Sequence, residues 1–334
     1  MSLSKSLLLS LAPLLPQVSA WGTLGHTTVA FVAQNFVSDR TKSFTQGILN
    51  DSSSAYLANV ATWADSYRST AGGSFSSPFH YIDANDSPPS SCGVDYERDC
   101  SEEGCIVSAI SNYTSRVQTT YLPLTERQKA LKWIIHFVGD IHQPLHTEAL
   151  EVGGNLINVT FNGTGTNLHR IWDTNMPEKL IGGFAVGDAR DWATTLTSEI
   201  MNGSFAKDAK GWLNGMDVND GIASAMYWAI DSNAFVCSTV VPKGADAVRD
   251  QELSGEYYET AIPVIQMQIA KAGYRLAAWL NLVATMENGL GTGKKRGKGN
   301  GLERRMVNWD EKAILEARRV RKTFGSDCGC GDEH

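Results

Sequence analysis

The chain has 334 residues, 42% of them hydrophobic, and a formal net charge of −7. That apolar content excludes a wholly disordered chain and is enough for one large core or two modest ones. From Trp21 to Gly289 the balance is 17 Lys and Arg against 29 Asp and Glu. A body so acidic is a poor electrostatic match for a polyanion near neutrality unless bound metal or acidic pH changes the local charge.

In chain order, Lys5 gives a positive start, Ser6 to Leu15 is mostly apolar, and Val18-Ser19-Ala20 reads as a small-residue cleavage site. Residues 1–20 are therefore predicted to be a secretory signal peptide, with a secreted, extracellular mature chain beginning at Trp21. The apolar run is too short to span a bilayer, and no later stretch is long enough, so no membrane partner is expected. Helical spacing of apolar residues predicts a helix over Leu24–Val37. A second, over Glu126–Ile141, carries Leu131, Ile134, Ile135 and Val138 and is stopped or bent by Pro144. Asn158–Phe161 alternates and is β-branched, as a short strand would be. Ala189–Ile200, Gly221–Phe235 and Glu256–Ala284 are further predicted helices. No repeat or linker divides residues 21–288, so one mainly α domain is expected. After it, residues 289–334 open with GLGTGKKRGKGNG, a composition that predicts disorder. Asp310–Lys322 could form a basic helix there, with Arg318, Arg319, Arg321 and Lys322. A solvated tail is the preferred reading over a phosphate contact.

Secretion changes the reading of the cysteines. Cys92, Cys100, Cys105 and Cys237 suggest two disulfides, for which three pairings are open. Cys100 and Cys105 are near enough to close a small loop, which would leave Cys92 with Cys237. A zinc–thiolate site is disfavoured, because no pair of CxxC knuckles is present. Cys328 and Cys330 lie in the tail without assignment. Asn50, Asn112, Asn158, Asn162 and Asn202 begin glycan acceptor triplets. Asn85 begins another beside the residues considered next, where a glycan would obstruct.

Five of the seven histidines fall into metal-binding patterns. His136 and Asp140 are four apart on a predicted helix and so share a face. His146 follows the Pro144 turn. His169 and Asp173 repeat the spacing in HRIWD. Asp65 in TWADSYR and His80 in SPFHYID add a carboxylate and an imidazole, and His26 stands five residues after Trp21. Mixed nitrogen and carboxylate donors suit zinc. A lone histidine is usually a packing or surface residue, and one H-x3-D pair is often only an ion pair, but two such pairs beside HQPLH are harder to dismiss. His142 points off the His136 face and reads as a supporting or surface residue.

These motifs, WGTLGH, ATWAD, SPFHYIDA, HFVGDIHQPLH, GGN and HRIWDTNMP, make the chain resemble the fungal extracellular single-strand-specific zinc nucleases of the S1/P1 type, which are also 3′-nucleotidases. The resemblance runs from Trp21 to about Ala284. It implies a mostly α-helical fold shared with zinc-dependent phospholipase C, the pairings Cys92–Cys237 and Cys100–Cys105, and three zinc ions. One zinc would take Asp65, His80, His136 and a shared Asp140. Its neighbour would take His146, His169 and Asp173. The third would take His26, Asp140, and the amino nitrogen and carbonyl oxygen of Trp21. The tail has no counterpart in the resemblance.

The implied activity is endonucleolytic cleavage of single-stranded DNA and RNA to 5′-phosphate products, together with 3′-nucleotidase activity, by a zinc-bound hydroxide. Catalytic roles fall on Asp65, Asp140, Arg68 and Asn175. Tyr81 would stack on a base, Val152 would pack its other face and Asp83 would bond its edge. Stacking on an aromatic favours unpaired bases. The expected partners are single-stranded nucleic acid and 3′-nucleotides, with no obligate protein partner. A phospholipase C and a zinc-scavenging protein are the rival readings. The first lacks an apolar lipid-facing flap, and the second leaves an open coordination position and Arg68 without purpose.

Overall fold

A computed structural model describes residues 21–290; the segment 1–20 expected to be a signal peptide and nearly all of the tail lie outside the described residues. Helices dominate, in the order α1 (Thr23–Phe36), α2 (Asp39–Leu49), α3 (Trp63–Arg68), α4 (Tyr96–Asp99), α5 (Ile106–Gln118), α6 (Leu124–Asp140), α7 (Leu168–Arg170), α8 (Met176–Ile181), α9 (Val186–Met201), α10 (Gly221–Phe235) and α11 (Glu256–Thr285). The five helices expected from apolar spacing are present, with ends shifted by up to three residues. The other six were not expected, the longest of them being α2 and α5. Helix α2 starts at Ser38, whose hydroxyl accepts from the Thr41 amide, and ends at Asn50 in a left-handed conformation. Helix α5 starts directly after Cys105.

Helices α1, α6 and α11 form the middle of the molecule. Helix α1 packs on α11 and α9, and α5 packs on α6 and α10. In α1 every residue from Leu24 to Ala33 is buried, and in α6 every residue from Trp133 to Asp140. Burial on all sides means that His26, His136 and Asp140 project from rigid, closely packed rods rather than from loops. No helix among the described residues is long and apolar enough to cross a membrane.

The expected strand Asn158–Phe161 (β1) pairs antiparallel with Thr164–Asn167 (β2), Asn158 opposite Asn167. The turn between them is Asn162-Gly163, with φ of 51° and 74°. Positive φ at both positions is what a two-residue hairpin requires, and Asn-Gly tolerates it. The disulfides are Cys92–Cys237 and Cys100–Cys105. The first joins the loop before α4 to the turn after α10, across 145 positions of sequence. Asn50, Asn112, Asn158, Asn162 and Asn202 are all exposed, as glycan acceptors must be.

Candidate metal centre

Asp140, the last residue of α6, organises the site. It is fully buried, and its two oxygens face different partners. Oδ1 lies 3.0 Å from His26 Nε2. Oδ2 lies 2.9 Å from His80 Nδ1 and 3.2 Å from His136 Nε2. Asp65 Oδ1 closes the group, 3.5 Å from His136 Nε2 and 3.8 Å from His80 Nδ1. The His26 and His136 rings stack, with centroids 3.8 Å apart. That approach needs a residue without a side chain at position 139: a Cβ on Gly139 would stand 2.8 Å from His26 Nδ1.

A second group comes from the chain beyond α6. His169 Nε2 is 3.0 Å from Asp173 Oδ2, and His146 Nε2 is 3.9 Å from Asp173 Oδ1. His146 Nδ1 donates to the His80 carbonyl at 2.8 Å, which joins the two groups. His169 Nδ1 donates to the Gly153 carbonyl at 2.6 Å, and His136 Nδ1 to the Ala61 carbonyl at 2.7 Å. A carbonyl only accepts, so in all three rings Nδ1 carries hydrogen and Nε2 is turned to the cluster.

The fit to a metal can be judged from the donors themselves. The Nε2 atoms of His26, His136, His146 and His169 and Oδ1 of Asp140 are buried without a hydrogen bond. Buried polar atoms are rarely left so, and several converging on one point match a cation's needs. Within this cluster three sets of donors lie close enough to share an ion: His26, Asp65 and His136; His80, His136 and Asp140; and His146, His169 and Asp173; a fourth set elsewhere, Asp86, Cys92 and Glu148, includes a disulfide sulfur. The charges are tightly coupled. Burial would raise Asp140, but His136 and His26 overcome it and hold the carboxyl well below its usual range. Burial likewise opposes, and His136 overcomes, so that Asp65 is lowered. Burial would lower His136, yet Asp140 and Asp65 push it up to about 10. Burial prevails at His80, which falls to about 4. Burial and the neighbouring His169 lower His146. A metal must displace protons to bind here, so its affinity depends on pH.

Asp173 lies in a π-helical turn, Ile171–Asn175, between α7 and α8. Pro177 explains part of this geometry. In a regular helix its N–H would bond the Asp173 carbonyl, but proline has none. That carbonyl instead accepts the Gly22 amide at 2.8 Å. Trp21, fully buried, is thereby held beside the Asp173 turn. A side chain at Gly22 would meet Thr174 Oγ1 at 2.7 Å.

The remaining expected residues lie within a few positions of these donors in sequence or in contact with them. Arg68 reaches Asp65 at 3.4 Å, and these two side chains, 18% and 14% exposed, form its more accessible edge. Asn175 Oδ1 is buried without a partner, two residues past Asp173. Tyr81 is half-buried directly after His80. Asp83 is exposed to solvent yet crowded by protein, which pushes its carboxyl up to about 6, with the Asp99 charge adding to the effect. Val152 is 49% exposed and adopts φ of 57°, within a run in which Glu151, Gly153 and Gly154 also have positive φ. A β-branched residue in that region is strained, and such strain collects at functional sites. Here it turns the Gly153 carbonyl to His169.

The profile of the S1/P1 nuclease family matches residues 21–285. The chain belongs to the S1/P1 nuclease family. It is similar to nuclease S1 of Aspergillus oryzae, with 53% identity over 265 residues, covering 79% of this chain and 92% of that protein. Against nuclease P1 of Penicillium citrinum the identity is 52% over 261 residues, covering 78% and 97%. Endonuclease 2 of Arabidopsis thaliana is more distant, at 29% over 286 residues, covering 80% and 92%. Members of the S1/P1 family are hydrolytic nucleases, and the His and Asp groups of this chain fit metal dependence.

Two residues of this S1/P1 chain have roles that spacing did not reveal. Gln143 donates from Nε2 to Asp173 Oδ1 and accepts the Leu145 amide, fixing the turn between the two donor groups. Its place in HQPLH was the only signal. His142 is not a surface residue: it is wholly buried, donates from Nδ1 to the Val138 carbonyl, and accepts from Arg275 at 2.9 Å. Burial first, then the Arg275 charge, keep it well below the ordinary histidine range and hence neutral.

Proposed function

We propose that this chain is a secreted, zinc-dependent endonuclease that hydrolyses single-stranded DNA and RNA to 5′-phosphate products and acts as a 3′-nucleotidase. The observation that carries the reading is the division of Asp140. One oxygen serves His26 and the other serves His80 and His136, as a carboxylate shared by two ions would. Asp65, His80, His136 and Asp140 would hold one zinc, His146, His169 and Asp173 a second, and His26, Asp140 and Trp21 a third. In this reading the mature enzyme starts at Trp21, its nuclease domain covers 21–288, and 289–334 is an appended tail. Removal of residues 1–20 supplies the terminal amine that the third ion needs.

Bound zinc supplies charge that acidifies water and offsets the negative charge growing on phosphate oxygens. The chain's own residues do the rest. Arg68, at the open edge, would grip a phosphate oxygen by charge-assisted hydrogen bonds. Asp65 beside it would accept a hydrogen bond from the attacking water and orient it, with Asp140 holding the donors behind. Asn175 would donate to the same phosphate. Water oxygen joins phosphorus, the bond to the 3′-oxygen breaks, and that oxygen leaves with a proton. Tyr81, Val152 and Asp83 would clamp the base, which must be unpaired to enter. The strained, exposed Val152 supports this role.

The test is zinc stoichiometry on purified mature protein, then chelation and re-addition with activity measured on single-stranded DNA. About three zinc ions per chain, loss of cleavage on chelation and recovery with zinc are expected. Continued cleavage by fully demetallated protein would end the proposal.

A further inference from the structure

We propose that Tyr67, Phe75, Lys129 and Lys132 form a track along which a single-stranded polynucleotide leaves the metal centre. The inference rests on the nuclease reading above and extends it to where the rest of the substrate lies. Three elements that supply donors also supply this strip. Helix α3 carries Asp65 and Arg68, and on it Trp63 stacks on Tyr67 at 4.5 Å between centroids. The 3-10 segment Ser74–His80 ends in His80 and begins beside Phe75. Helix α6 carries His136, with Lys132 and Lys129 four and seven residues earlier, on the same face. At 1.5 Å per residue they stand about 6 and 10 Å along the helix from His136.

The strip has the chemistry of a single-strand path. Lys132 Nζ lies 5.1 Å from the Trp63 ring centre, and Lys129 Nζ lies 5.7 Å from that of Tyr67. Phe75 is 45% exposed and packs edge-on against Trp133 and Phe79, each 6.0 Å away. Trp133 and Tyr113 beneath are buried and belong to the core. The exposed ring of Phe75 and the lysines over Trp63 and Tyr67 are not needed there, although Lys129 also lies 3.7 Å from Glu126 on the surface. The mature body carries 29 acidic against 17 basic residues up to Gly289, so two lysines over the half-buried Trp63 and Tyr67 rings, on elements shared with exposed Phe75, mark where a polyanion can approach. Aromatic faces stack bases of any identity, and adjacent lysines take phosphates. A lipid surface would ask for a larger apolar patch, and a protein partner would not depend on DNA length.

The experiment compares the mature zinc enzyme with Phe75→Ala and with Lys129→Gln/Lys132→Gln on two substrates: a 3′-mononucleotide and long oligodeoxythymidylate, across a salt series. Each neutralised phosphate contact contributes about 0.7 to the logarithmic salt slope for single strands. The double variant should therefore flatten the salt dependence of log KM on the long strand by about 1.4. Phe75→Ala should raise that KM about fivefold or more. Both variants should hydrolyse the mononucleotide as the parent does. An unchanged slope and KM on the long strand, or equal losses on both substrates, would overturn the track. Failure of the parent enzyme to cleave either substrate would instead overturn the nuclease reading.

Discussion

Replacing Gly139 by alanine should separate metal binding from folding. The added methyl would stand 2.8 Å from His26 Nδ1 and 3.0 Å from its Cε1. Heavy-atom contacts relax near 3.5 Å, so the ring must shift by about 0.7 Å. It is wholly buried and stacked on His136, so it cannot simply swing aside. Metal ligands tolerate errors of about 0.2 Å, and smaller disturbances of a ligand's support already cost about 10- to 100-fold in affinity. The fold should suffer less. Overpacking costs about 1–3 kcal/mol, while alanine gains about 1 kcal/mol over glycine inside a helix. The chelated variant should therefore melt within about 8 °C of the chelated parent. Zinc content measured after dialysis against limiting zinc should drop from three toward two, with activity falling alongside. A variant that keeps parental zinc content and turnover would show that His26 does not sit where the argument needs it.

Adding one residue before Trp21 should weaken binding of one zinc and lower cleavage, read by metal analysis of homogeneous protein; normal content and rate would exclude the terminal amine as a donor. Tyr81→Ala should reduce oligonucleotide cleavage more than hydrolysis of a small phosphate ester, and equal losses would dismiss the base clamp. In the proposed clamp Asp83 would accept from a base edge more strongly when ionised, and its carboxyl is pushed up to about 6. The parent KM for a nucleotide should therefore rise as pH falls through about 6, and Asp83→Asn should lose that inflection; the same inflection in the variant would assign it elsewhere. Gln143→Ala should loosen Asp173 and cost about tenfold or more in zinc affinity by titration calorimetry, whereas unchanged affinity would make Gln143 a packing residue only.

The sequence was most legible where one short stretch carried the whole signal. His136 with Asp140, and His169 with Asp173, are neighbours on one helical face, so spacing alone paired them. The joining of the two groups was not legible, because it passes through the His80 carbonyl, which residue identity does not reveal. Which of the two readings of His142 holds, supporting or surface, was not legible for a related reason: the partner that keeps it buried, Arg275, lies 133 positions away. Helix α2 was not legible from apolar period, because only Thr41, Thr45, Ile48 and Leu49 of it are buried. The left-handed run at 151–154 contains GG, which permits it, but nothing in Glu151 or Val152 announces it.

The missing hydrogen of Pro177 reaches across the molecule. Because the Asp173 carbonyl is pinned by the Gly22 amide, Trp21 before it has almost no slack, and its nitrogen lies one peptide unit from a fixed point. In the untrimmed chain that nitrogen is an amide with no lone pair to give. Removal of residues 1–20, proposed above, would then do more than set where the chain starts: it would be the step that arms the site.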